Sequence, residues 1–152
     1  MNDIDRKLLE ALQEDASLQV ADLAERIGRS VTPTWKRLKR LEEAGIITGR
    51  VAVLDREALG IPLTVFVSVK TNMHNTEWLK AFEAAASKIE EIVEVYRMSG
   101  EMDYLMKIVC PDIGTYDSVY RRLIKLVDFS DVSSHFAMEI IKSTNRLPLK
   151  YA

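Results

Sequence analysis

Only Arg29 and Ser30 separate Gly28, where one helical pattern stops, from the start of the next. Glycine suits the left-handed conformation that ends a helix. The two helices must therefore meet at a sharp angle across a tight turn, the arrangement of a helix-turn-helix. Before the turn, Val20, Leu23, Ala24 and Ile27 share one face. An earlier helix is predicted with Asp3 as its cap and Ile4, Leu8, Leu9 and Leu12 as its apolar stripe, and Glu14-Asp15-Ala16-Ser17 divides it from the second. The spacing thus predicts a three-helix unit over residues 1–45.

The third helix runs from about Ser30 to Ala44, with Ser30 or Thr32 as cap and Pro33 in the first turn, where a missing N–H breaks no intrahelical bond. Val31, Thr34, Trp35, Leu38, Leu41 and Gly45 fall on one side and are expected to pack. Thr32, Pro33, Lys36, Lys39 and Arg40 fall on the other, with Arg37 on its flank. From Arg26 through Arg40 there are six basic residues and no acidic one, whereas residues 1–50 as a whole balance nine against nine. A charged helix face is often merely solvated. The unbroken sign, the tight turn and the short preceding helix favour a different use, in which lysine and arginine pair phosphates of double-stranded DNA while short polar groups reach base edges. The candidate DNA-contacting residues are Ser30, Thr32, Pro33, Thr34, Lys36, Arg37, Lys39 and Arg40, with Thr32 and Thr34 as short readers.

After Gly45 the helical period is lost. Ile46-Ile47-Thr48-Gly49-Arg50-Val51-Ala52-Val53-Leu54 is rich in β-branched residues and reads as a strand, a two-stranded wing or a linker over 46–61. Beyond it come a strand from Leu63 to Lys70, a turn over Asn72–Asn75 and a helix carrying Trp78, Leu79, Phe82, Ala85, Ala86 and Ile89. A strand from Ile92 to Met98, a turn through Ser99–Asp103 and a return strand from Tyr104 to Cys110 follow. A helix over Asp112–Val127 and a last strand from Val132 to Ile141 complete the pattern. This βαββαβ order is that of a ferredoxin-like sandwich over residues 62–152, with helices on one sheet face. Apolar residues on both faces of several strands leave the other face in need of cover, and a homodimer supplies it.

A net charge of −2 excludes a chain that coats nucleic acid indiscriminately but leaves room for the local basic patch. The single cysteine, Cys110, excludes an internal disulfide and a paired-thiolate zinc site, and reads as a small buried hydrophobe. With no signal-like start and no stretch of roughly 18 apolar residues, the expectation is a cytoplasmic protein without a membrane partner.

Four segments together resemble the Lrp/AsnC, or feast/famine, transcription regulators: Asp3-Ile4-Asp5-Arg6-Lys7-Leu8-Leu9, Thr32 through Ile47, Ser99-Gly100-Glu101-Met102-Asp103-Tyr104, and Ala137-Met138-Glu139. The resemblance covers nearly the whole chain. It implies an α+β protein, an N-terminal winged helix-turn-helix followed by a ferredoxin-like domain of the AsnC type, with dimers assembling into tetramers or octamers. It also implies an amino-acid effector, and no other cofactor, bound between C-terminal domains near Gly100, Glu101, Asp103 and Tyr104. Asn72, Met73 and His74, with Ser133 and Ser134, are expected to complete that pocket. There a carboxylate such as Asp103 can pair with an α-ammonium group, and backbone N–H groups around Gly100 can hold an α-carboxylate. On the residues alone, Gly100 and Asp103 read equally well as ordinary hairpin residues. Where many relatives carry cysteine after the helix-three proline, this chain has Thr34, so no thiol acts at that position.

Two other functions compete. Ferredoxin-like domains also carry catalytic sites, but the chain offers only two histidines, His74 and His135, far apart in sequence, and no nucleophile, metal-cluster or phosphate-loop motif. An amino-acid-binding assembly module whose N-terminal helices contact protein is the second alternative.

Overall fold

Asn2, not Asp3, caps the first helix, α1 (Asp3–Glu14). Its side chain accepts the Asp5 N–H at 2.9 Å while the Asp5 carboxylate accepts the Asn2 N–H at 3.2 Å. This reciprocal pair satisfies two of the N–H groups that a helix start leaves free and moves the expected cap back by one residue. Helix α2 spans Val20–Arg26. Gly28 closes it at φ 64°, in the left-handed region, with the Arg29 N–H returning to the Ala24 carbonyl at 2.8 Å. Helix α3 spans Val31–Glu43, so the tight turn is present as expected. Leu8, Leu23, Ile27, Leu38 and Leu41 form the buried centre of the three helices.

The computed structural model describes residues 1–152, which divide into two units: Met1–Val53 with Lys142–Ala152, and Leu54–Ile141. The tail therefore belongs with the helices and not, as expected, with residues 62–141. Gln13 holds Leu147 at both backbone groups, accepting its N–H at 2.5 Å and donating to its carbonyl at 3.3 Å, and Leu149 packs on the three-helix core. The strand or wing expected over 46–54 is absent. The Ile46 and Ile47 N–H groups both bond to the Leu41 carbonyl, which commits the start of the segment to closing α3. Val51 and Val53 that follow lie exposed with no strand beside them.

In the second unit, β1 (Leu63–Lys70), α4 (Thr76–Lys88), β2 (Ile92–Arg97), β3 (Tyr104–Cys110), α5 (Ile113–Leu126) and β4 (Asp131–Phe136) follow the expected order. The sheet runs β2-β3-β1-β4 with every pair antiparallel. Val65, Val67 and Val69 of β1, with Met106 and Ile108 of β3, meet Trp78, Phe82, Val119 and Leu123 of α4 and α5 in the core. Strand alternation turns Phe66, Leu105, Val109 and Tyr96 to the opposite face, away from α4 and α5. The last strand stops at Phe136, short of the expected Ile141. Its partner β1 begins at Leu63, and the Ala137 N–H to Thr64 carbonyl bond is the last that edge can supply. Met138, Ile140 and Ile141 are consequently exposed.

Candidate DNA-reading helix and effector turn

The surface of α3 is divided by what its neighbours bury. Thr34, Leu38 and Leu41 face the core. Thr34 is fully buried, and its hydroxyl donates to the Ser30 carbonyl at 2.9 Å, so it cannot be the short reader expected there. Ser30 contributes that carbonyl, while its own side chain makes no capping bond. Trp35, expected to pack, stands half in solvent beside exposed Thr32, Pro33, Lys36 and Lys39. The Lys39 ammonium lies 5.5 Å from the Trp35 ring centroid, within reach of a cation–π attraction.

The two candidate arginines are held from inside. Asp5 is 2% exposed, and its carboxylate accepts Arg37 Nη1 at 2.9 Å and Arg40 Nη2 at 2.9 and 2.8 Å. Burial pushes this carboxyl up. The Asn2 N–H and the two guanidinium groups outweigh burial and leave it below the ordinary carboxylate value of 3.8. Arg37 and Arg40 thus fasten α3 to α1, and Lys36 and Lys39 make the exposed cationic face, with the Lys39 ammonium 3.8 Å from Glu43 Oε1 one turn on. Asp5 was not among the expected functional residues, because an acid in a first helical turn reads simply as a cap or dipole partner. Its signal was the pair of arginines three apart, Arg37 and Arg40, in the acid-free run from Arg26 to Arg40.

In the second unit, Asp103 joins two loops. Its carboxylate accepts the Thr71 N–H at 2.8 Å, and its own N–H donates to the Val69 carbonyl at 3.0 Å. The Met73 N–H in turn bonds to Thr71 Oγ1 at 3.0 Å. Asn72, Met73 and His74 are thereby brought to the same end of the sheet as Gly100, Glu101 and Asp103, and all but the half-buried Asp103 are exposed. Gly100 sits at φ 114°, a backbone conformation that favours glycine. Tyr104 turns away from this end, its ring 4.9 Å from Phe82 and 5.5 Å from Trp78 in the core. Ser133 and Ser134 cannot share one pocket wall, because they point to opposite faces of β4. Ser134 meets the Tyr116 hydroxyl on the helix side, and Ser133 lies opposite Ser68 on the open side. Cys110 is fully buried, and burial pushes its thiol above the usual range.

Comparisons with known proteins agree with both halves. The family profile described as winged helix-turn-helix DNA-binding matches residues 1–48, and that described as Lrp/AsnC ligand binding domain matches residues 64–147. The chain is 47% identical over 151 residues to the DNA-binding transcriptional activator DecR of Escherichia coli K12, covering 99% of each. It is 37% identical over 148 residues to the leucine-responsive regulatory protein of Salmonella typhimurium, covering 97% of this chain and 90% of that one. Among solved structures, an AsnC family transcriptional regulator from Agrobacterium tumefaciens superposes with a TM-score of 0.96 at 52% identity, covering 99% of each chain. A Neisseria meningitidis transcriptional regulator in complex with L-Met superposes with a TM-score of 0.94 at 31% identity, covering 99% of this chain and 98% of that one. With a helix-turn-helix DNA-binding match over residues 1–48 and a ligand-binding-domain match over 64–147, the chain belongs to the Lrp/AsnC family of DNA-binding, effector-responsive transcription regulators.

Proposed function

We propose that the protein is a cytoplasmic regulator that reads duplex DNA through α3 and responds to an amino acid held beside Asp103. The observation that carries this reading is the outward face of α3, where Thr32, Lys36 and Lys39 are exposed while Arg37 and Arg40 are tied to buried Asp5. Such a helix enters a major groove with its orientation fixed and its lysines available to phosphates. Ser30 and Pro33 lie at its N-terminal end, where backbone contacts are made. Residues 1–45 are the reading unit, 46–61 the connection and 62–141 the effector and assembly unit.

The effector is an amino acid, the class carried by the Neisseria relative. Asp103 faces its ammonium group, and the N–H groups around Gly100 and Glu101 face its carboxylate, with Asn72, Met73, His74 and Ser133 on the rim. The uncovered sheet face bearing Phe66, Leu105, Val109 and Tyr96 supports a homodimer, and further pairing to tetramers or octamers places a second protomer near the turn. Regulation and not turnover is the fitting role. A catalytic reading needs His135 beside Ser133 or Ser134 with an acid in a cleft; Ser134 faces the helices, and Ser133 shares the open face with His135, so turnover of an amino acid by the purified protein would revive that reading.

A thermal-shift screen of the amino acids, cysteine included, tests the effector reading, since a ligand that binds only the folded state raises apparent stability. At least one amino acid should raise the melting temperature and alter DNA affinity. A screen in which none does either contradicts the reading.

A further inference from the structure

Two apolar side chains stand in water on the one helix that carries the cationic face. Val31 is 50% exposed and Trp35 49%. They lie four residues apart, one above the other along a single line of α3. Lys39 continues that line and overlies the Trp35 ring. The core beneath is complete without them, being closed by Thr34, Leu38 and Leu41. A tryptophan left half in solvent beside a valine is a contact surface, since burying either gains free energy roughly in proportion to the apolar area removed from water.

The surroundings select the occupant. Arg29, Lys36 and Lys39 are exposed around the strip, and no acidic residue lies between Arg26 and Arg40, so the partner is anionic with an apolar group recessed among its charges. In the major groove of DNA that description fits one base-edge group, the 5-methyl of thymine. We propose that Val31 and Trp35 are specificity-determining residues that read thymine methyl groups, with Lys36 and Lys39 on flanking phosphates. The inference rests on α3 being the DNA-reading helix. Four residues of helix rise about 6 Å and successive base pairs stack about 3.4 Å apart, so the two side chains address methyl groups one or two base pairs apart. The Lys39 ammonium over the ring restricts the indole before DNA arrives.

The test uses full-length protein and duplexes enriched by it from a random pool, each resynthesised with deoxyuridine in place of thymidine, which removes the methyl and keeps the pairing. Binding is followed by fluorescence anisotropy. For the wild type, loss of the methyl groups should weaken binding by about fourfold for each one buried. In Trp35→Ala that ratio should fall toward one while the slope of log affinity against log salt stays at its wild-type value. Trp35→Gln, which preserves helix propensity at an exposed site, should behave like Trp35→Ala, and circular dichroism identifies a variant that has lost its fold. Equal wild-type affinity for the two duplexes overturns the proposal, as does an unchanged ratio in a folded Trp35 variant. Failure to enrich any duplex would overturn the DNA-binding reading itself, a separate result.

Discussion

Arg40 of the reading helix donates from Nη2 to both carboxylate oxygens of Asp5, at 2.9 and 2.8 Å, across the interface between α3 and α1. Asp5 also completes the α1 capping box and accepts Arg37, so one buried acid sets both the start of the first helix and the seating of the third. Its replacement by alanine or asparagine should therefore cost stability and DNA affinity together.

For Asp5→Asn we expect a loss of about 2 kcal/mol in unfolding free energy, the scale of hydrogen bonds to a charged group. The native carboxyl lies below the ordinary 3.8, so its contribution is complete above that value, declines as pH falls below it and is gone beneath the native value. Denaturation of wild type and variant should show a difference that is full at pH 7 and shrinks toward pH 3. A difference that does not change with pH contradicts the ionised role.

Asp103→Asn separates the effector from the turn. An asparagine oxygen can still accept the Thr71 N–H, but the charge that faces an ammonium group is lost. The variant should keep its fold and its DNA affinity in the absence of effector, and lose the amino-acid-dependent rise in melting temperature. Asp103→Ala should lose that rise and also melt earlier. An undiminished ligand shift in Asp103→Asn would remove Asp103 from the site.

Leu105→Glu places a charge on the sheet face that points away from α4 and α5, opposite Tyr96 on β2 and Ser68 on β1. If that face holds two protomers together, sedimentation at micromolar concentration should show the variant as a monomer where the wild type is a dimer or larger. An unchanged mass would assign the interface elsewhere.

Much of this was legible in the sequence, for physical reasons that also mark its limits. Gly28 with two residues before the next helix leaves little but a sharp turn, and the order of apolar periods predicts the βαββαβ sheet. The helical period put Thr34 on the packing side, which conflicts with its expected role as a short reader, but the exposure of Trp35 was not legible. The two adjoin on the helix surface, and which of them faces the core depends on how α3 settles against α1 and α2. The β-branched run after Gly45 has strand propensity, but a strand needs a neighbouring edge, and none lies beside it in the chain. The opposed directions of Ser133 and Ser134, by contrast, follow from the two-residue period of any strand. Asp5 escaped because its partners lie more than thirty residues away.

Salt dependence of duplex binding by wild type and by the double variant Lys36→Ala with Lys39→Ala tests the reading helix most directly. Each phosphate contact contributes about 0.9 to the slope of log affinity against log salt. The double variant should bind more weakly and with a slope smaller by about two, while its melting temperature stays near that of the wild type because both lysines are exposed. A wild-type slope in the folded double variant would contradict the assignment of this face of α3 to DNA.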